Sequence, residues 1–389
     1  MNDTVRQFRD FFVSLRLTVV LLALSMGLVF AATLDQVNLG IWAVQAKYFH
    51  SLFVLWKIPG TDVPLPVYPG GYLLGGFLLV NLISAHVYRF RLEWKKSGIL
   101  LLHTGLILLL LGEFFTGLWQ EEFLMQMKVG ETKNYSESYR FNELAVVDTT
   151  NPKFDEVVAV PETLLKPGSA IQNPTLPFRI VIKDYYPNAA LSMRSNTPGK
   201  APSPATAGLG PQIAVVPLPL TYKQDERNWP AAYLELVGPE GSLGTWLVSS
   251  QLPAPQTFDY GGHSWRLNLR LQREYKPFTL TLLKVTHDIY HGTDIPKNFS
   301  SRLRLTTLDG REDREVLIYM NSPLRYAGLT FYQQQMDVVN DTTGLQVVRN
   351  PSWLLPYISC VMMGLGLVLQ FGLHLLAFIR KRAAAPATT

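Results

Sequence analysis

Lys95-Lys96-Ser97-Gly98-Ile99-Leu100-Leu101-Leu102-His103-Thr104-Gly105, running on through Leu106 to Leu111 and Gly112, is the stretch that decides how this chain is read. From Ile99 to Leu118 it is apolar enough and long enough to cross a bilayer, and two lysines mark its entry. His103 sits roughly one and a half helical turns inside that entry. An ionisable group in a span is costly. Either a hydrogen bond to a neighbouring helix or a role as ligand or proton carrier has to account for it.

Working outward, the preceding apolar run from Tyr72 to Tyr88 is joined to this one by a turn carrying Arg89, Arg91, Lys95 and Lys96 against the single acid Glu93. Two spans around a basic turn form a hairpin whose turn faces the cytoplasm. Further out, Leu17 to Leu34 follows a segment with Arg6, Arg9 and Arg16, and is too long for a signal-peptide core. A last run, Leu354 to Ile379, stops at Arg380-Lys381-Arg382. All three basic clusters then fall on one side, which places both termini in the cytoplasm.

Between the third and fourth runs the pattern changes to alternating strands, as in Phe178-Arg179-Ile180-Val181-Ile182-Lys183 and Trp265-Arg266-Leu267-Asn268-Leu269-Arg270. Thr306-Thr307-Leu308-Asp309-Gly310-Arg311 reads as an Asp-Gly hairpin turn. The stretch from Ser195 to Pro219, rich in Pro, Ala, Gly and Ser, reads as an irregular excursion within this domain. Residues 35–71 mix Trp42, Tyr48, Phe49, Phe53 and Trp56 with Lys47, His50 and Lys57, which suggests a short amphipathic helix at the headgroups. His50 is then an interfacial residue.

The expected fold is an integral membrane α-helical protein with four transmembrane helices and a large extracytoplasmic, mostly-β, sandwich-like domain. Its parts are a cytoplasmic N-terminus (1–16), a first span (17–34), an extracytoplasmic interfacial segment (35–71), a second span (72–88) and a cytoplasmic basic turn (89–98). A third span (99–118), the β domain (119–353), a fourth span (354–379) and a cytoplasmic tail (380–389) complete it. The setting is the bacterial inner membrane, multi-pass, with the β domain periplasmic if the source is Gram-negative.

Composition narrows the function. The chain has 389 residues, a net charge of +5, 48% hydrophobic and 17% charged residues. Its basic residues cluster beside apolar runs rather than forming a stripe, which points to a lipid bilayer and away from nucleic acid. Cys360 is the only cysteine and lies within the last span, so thiol–disulfide chemistry is excluded from the β domain. No nucleotide-binding glycine loop, Gly-x-Ser-x-Gly or His-Glu-x-x-His is present.

Three of the seven histidines fall in one leaflet. His86 lies three residues before Arg89, His103 seven after Lys96 and His374 six before Arg380, so each is roughly 5–10 Å from the cytoplasmic boundary. Imidazole in an apolar cleft suits haem iron as an axial ligand, and the spans hold few carboxylates for a hard cation, Glu113 being near the outer end. His103, the deepest, is the first candidate, with His374 and His86 behind it. In the β domain, His287-Asp288-x-x-His291 has the spacing of a metal half-site, although turn formation explains the same residue types.

Three tracts resemble a known family. They are Leu102-His103-Thr104-Gly105 with its leucine run, Gly292-Thr293-Asp294-Ile295-Pro296-Lys297-Asn298-Phe299-Ser300-Ser301, and Asn321-Ser322-Pro323-Leu324-Arg325-Tyr326-Ala327-Gly328-Leu329-Thr330-Phe331-Tyr332-Gln333. With the order of spans and outer domain, they resemble ResB, also called CcsB, of the System II cytochrome c biogenesis (maturation) machinery. The resemblance implies that, with a ResC/CcsA partner, the chain moves haem b in transit across the membrane and presents it to apocytochrome c for covalent attachment. It also carries the family's transmembrane histidine onto His103, within His103-Thr104-Gly105-Leu106. The family's tryptophan-rich haem-handling loop belongs to the partner, and no such tract occurs here. The chain is therefore expected to be a non-autonomous subunit of a cytochrome c synthase (haem lyase) complex. A non-catalytic, membrane-anchored assembly or chaperone factor is the alternative.

Overall fold

The computed structural model describes residues 3–58, 61, 63–89, 93–194, 202–223, 226–292, 296–337 and 339–383. Arg91 of the basic turn, residues 195–201 of the excursion, Thr293-Asp294-Ile295 and the last six tail residues lie outside them. Two compact units emerge, one from both ends of the chain (1–121 and 350–389) and one from most of its middle.

The first unit is helical. α1 (Asp3–Phe12) precedes α2 (Leu15–Leu39), and α3 (Ile41–Val44) is followed by α4 (Gly71–Arg89), α5 (Ser97–Trp119) and α6 (Leu354–Ala383). Leu15–Leu39, Gly71–Tyr88, Trp94–Trp119 and Leu354–Arg382 are each long and apolar enough to cross a membrane. The chain thus has the four expected spans, and α2 runs beyond Leu34 because Asp35 finds partners there. Its carboxylate accepts from the Lys47 ammonium at 2.6 Å and the Tyr48 hydroxyl at 2.7 Å.

Between α1 and α2 the backbone turns sharply, and Asn81 of α4 supplies the bonds the turn lacks. Its amide donates to the carbonyls of Phe12 (2.6 Å) and Ser14 (3.2 Å) while its oxygen accepts from the Thr18 hydroxyl (2.6 Å). Asn81 is buried as a result, fully paired in apolar surroundings.

The interfacial segment departs from the expected helix. Beyond the end of α2, helix extends only from Ile41 to Phe49, its last turn being a π-helix, and a hairpin of β1 (Phe53–Lys57) and β2 (Pro64–Pro69) follows. Pro64, Pro66 and Pro69 bar a continuous helix but are tolerated in a strand at an edge. Val54 is the buried residue of the pair, packed with Leu21, Leu28 and Leu74.

α5 and α6 approach at backbone distance. A Cβ on Gly98 would meet the Gly366 carbonyl and the Gln370 nitrogen at 2.6 Å, and one on Gly105 would meet the Ser359 carbonyl at 3.0 Å. On Gly112 it would meet Leu355 at 3.0 Å. These three glycines recur every seven residues, so they line one face of the helix.

The second unit is a mostly-β, sandwich-like domain. Its strands are β3 (Glu121–Lys128), β4 (Thr132–Asp148), β5 (Glu156–Pro161), β6 (Ala170–Ile171), β7 (Arg179–Tyr186), β8 (Ala189–Met193) and β9 (Ile213–Pro217). They continue with β10 (Ala231–Gly238), β11 (Gly241–Ser249), β12 (Gln256–Tyr260), β13 (His263–Ile289), β14 (Pro296–Thr307) and β15 (Asp313–Tyr319). β16 (Leu324–Tyr326), β17 (Leu329–Asp337) and β18 (Thr342–Arg349) close the domain. A four-stranded sheet has the order β11-β10-β7-β6; a ten-stranded one runs β15-β14-β13-β4-β3-β18-β17-β16, with β12 on β13 and β5 on β4.

Alternation explains the packing. In β7 and β10 the cross-strand pairs Ile182↔Leu234 and Ile180↔Leu236 turn their side chains inward, where Leu144, Val146, Leu267 and Leu269 of the larger sheet meet them. Each such side chain contributes about 1.5–3 kcal/mol on burial. A second core, built on Phe278, Leu280, Leu303, Leu305, Phe331 and Val347, fills the other half of the large sheet, whose β14 and β15 pack against β17.

β13 belongs to both cores. Its first half pairs with β12 and β4, its second with β14 and, at Leu280 and Thr281, again with β4, and register shifts at Leu271/Arg273 and Tyr275/Leu280 divide the halves. The expected Asp-Gly turn joins β14 to β15, with Gly310 at φ +70°.

Candidate functional site

His103 projects from α5 about 160° around the helix from Gly105, hence away from the α6 contact. On that side stands α4, whose His86 ring meets the His103 ring edge to face with centroids 6.1 Å apart. Both imidazoles are half-buried. Thr104 completes the group, its hydroxyl donating to the Leu100 carbonyl at 2.9 Å and lying 3.4 Å from His86 Nε2.

The structure brings together two of the three histidines singled out in the sequence. His374 is exposed on α6, and its Nε2 accepts from the Gln370 amide at 2.8 Å. Because Gly98 packs on Gly366 and Gln370, and Gly112 on Leu355, His103 is level with about Met363. That is about eleven residues, roughly 16 Å, along α6 from His374. One metal ion cannot be held by both. The depth argument from the sequence placed them together because it measured each histidine from its own helix's basic cluster.

Elsewhere, His50 stacks on Tyr72 with ring centroids 5.6 Å apart. His287, on β13, stacks on Phe299 of β14 at 4.5 Å, an aromatic contact between neighbouring strands. Among the described residues, no three of His, Cys, Asp and Glu converge as a metal cluster.

Chemically, the α4–α5 pair offers imidazole nitrogen donors in an apolar setting. Glu113 lies ten residues beyond His103, roughly 15 Å towards the other end of α5. Such a donor set fits a haem iron, which takes imidazole as an axial ligand, and does not fit calcium or magnesium, which need several oxygens. Sequence reading named the histidines but not the glycine face that aims His103. Its signal was the spacing of Gly98, Gly105 and Gly112.

No curated protein matches this chain. The model of the ResB-like family, which is associated with cytochrome c biogenesis, matches residues 242–340, from β11 through β17. That segment contains two of the three tracts that carried the resemblance, 292–301 and 321–333, and the match bears out the similarity of this chain to the ResB family.

Proposed function

We propose that this chain is the ResB-type subunit of a membrane complex that matures cytochrome c, handling haem as its cargo together with a ResC/CcsA partner. The observation that carries the reading is the edge-to-face pair of His86 and His103 within the spans. An apolar helix face with an imidazole on it can bind the porphyrin by its surface and the iron by a ring nitrogen. His103 is the ligand in this reading; His86 packs against its ring, and Thr104 lies against His86.

The direction of the spans supports the same assignment. Arg380, Lys381 and Arg382 end α6, while Lys95 and Lys96 begin α5, so the positive-inside rule puts both in the cytoplasm. The β domain then lies outside the cytoplasmic membrane, where apocytochrome c receives haem.

The test is an optical spectrum of the chain co-purified with its partner from cells that mature cytochrome c. A haem absorbance lost in His103→Ala at unchanged protein level supports the reading. Wild-type haem content in that variant would reduce His103 to a packing residue.

A further inference from the structure

One strand of the β domain has an open edge. β5 pairs with β4 through six consecutive positions, from Glu143↔Pro161 to Asp148↔Glu156, with no bulge, and has no second strand neighbour among the described residues. Its sequence, Glu156-Val157-Val158-Ala159-Val160-Pro161, has no lysine and no proline before the last position. Those are the usual devices that keep an edge from recruiting another strand. Val157 and Ala159 are exposed, whereas Val160 is buried in the core.

Beside the start of β5 lies a groove of about 420 Å³. Its apolar lining includes Val157, Val158, Leu176, Pro177 and Trp265. Leu176 and Trp265 are themselves core residues.

The groove's charged lining is acidic. It contains Glu156 and Asp148, with His263 beside them and neither lysine nor arginine among its described lining residues. Asp148 is held below the ordinary carboxylate range, first by the Thr150 hydroxyl, then by the Thr150 backbone N–H, with His263 adding to both. His263 Nδ1 lies 2.6 Å from Asp148 Oδ2, so this corner of the rim is fixed in place.

We propose that the β5 edge docks an extended, basic segment of another protein as an added strand. Backbone hydrogen bonds run along Glu156–Pro161, and a lysine or arginine lays its aliphatic stem in the groove with its charge facing Glu156 and Asp148. A second copy of this chain fits less well. Antiparallel self-pairing of β5 would set Glu156 against Pro161 and bring no cation to either carboxylate. The inference is independent of the haem reading.

The experiment uses the full chain in detergent micelles and the fluorescein-labelled peptide Lys-Val-Lys-Val-Lys-Val, read by anisotropy. Two further peptides carry backbone N-methyl groups on the lysines or on the valines. Because only alternate residues of a strand face one edge, one methylation pattern should weaken binding about tenfold and the other be tolerated. Glu156→Lys should weaken the parent peptide by a similar factor and improve binding of Glu-Val-Glu-Val-Glu-Val. Ala159→Pro provides a second, charge-neutral block of the edge. Equal binding of both methylated peptides, or no response to Glu156→Lys, would overturn the proposal. So would a peptide-free dimer of the chain that Ala159→Pro abolishes, since the occupant would then be a second copy.

Discussion

His86 and His103 meet edge to face, their ring centroids 6.1 Å apart, although they belong to different helices and lie seventeen positions apart in the chain. The turn between α4 and α5 is short, so the two helices form a hairpin in which these positions are level. His374, further along α6, takes no part in this pair.

From that arrangement, His103→Gly should lower co-purified haem by about tenfold or more and abolish cytochrome c maturation, with protein level unchanged. Added imidazole should restore part of the haem in the Gly variant, because the group removed is a single imidazole ring. His374→Ala and His50→Ala should keep haem content near wild type. Absorbance of the purified complex and haem staining of cytochrome c report these outcomes; a loss seen only on changing His374 would move the ligand to α6.

The glycine face of α5 makes a stability prediction. Gly105→Val places a branched side chain against the Ser359 carbonyl and Met363, and should cost roughly 1–3 kcal/mol. Gly117→Ala has nothing within 4 Å of the new atom and should be neutral. Thermal unfolding of the full chain in detergent distinguishes them, and equal midpoints would contradict the close packing of α5 on α6.

Lys276 gives a pH dependence. It is buried in the β domain, donating to the Ser136 hydroxyl at 2.7 Å and the Glu274 carbonyl at 3.2 Å, and burial pushes its ammonium down to about 8 from 10.5. Between these values the unfolded chain binds the proton that the folded chain has released, so stability rises with pH from about 8 to 10.5. The size is roughly 3 kcal/mol for this one group. Lys276 Nζ also lies 3.5 Å from Glu274 Oε2, a carboxylate that keeps a second ion pair with Arg349 when Lys276→Met removes the titrating group, so that variant should lose the rise. Unfolding midpoints of both proteins from pH 7 to 10.5, followed by tryptophan fluorescence, give the comparison.

Topology can be read with reporter fusions. A fusion after Thr389 should report the cytoplasm, and one placed within residues 201–207 the other side of the membrane. A periplasmic signal from the C-terminal fusion would reverse the orientation of all four spans.

The spans were legible because lipid imposes a simple rule, a long apolar run ended by charge, and Leu354 to Ile379 obeys it without any tertiary information. The β1–β2 hairpin was not. Phe53 and Trp56 suit a headgroup helix as well as a strand, and only the pairing of Trp56 with Leu65 across the turn decides between them. Strand alternation announced β7, yet not that β13 would run for 27 residues through two cores. Its two irregularities look locally like ordinary strand ends. Likewise, 115 residues separate Asp148 from His263, and no spacing rule foretells such a contact.

The packing of α5 on α6 also has a consequence for biosynthesis. The ribosome makes α5 more than 230 residues before α6, and in the proposed orientation the whole β domain is delivered across the membrane in the interval. Until then, Gly98, Gly105 and Gly112 lack the helix whose backbone they are shaped to receive. The fourth span is in this sense a clasp that closes only after the β domain has been made. A message cut short before Leu354 would yield a chain with that seam open to lipid, the kind of product that membrane quality control can tell from the finished one.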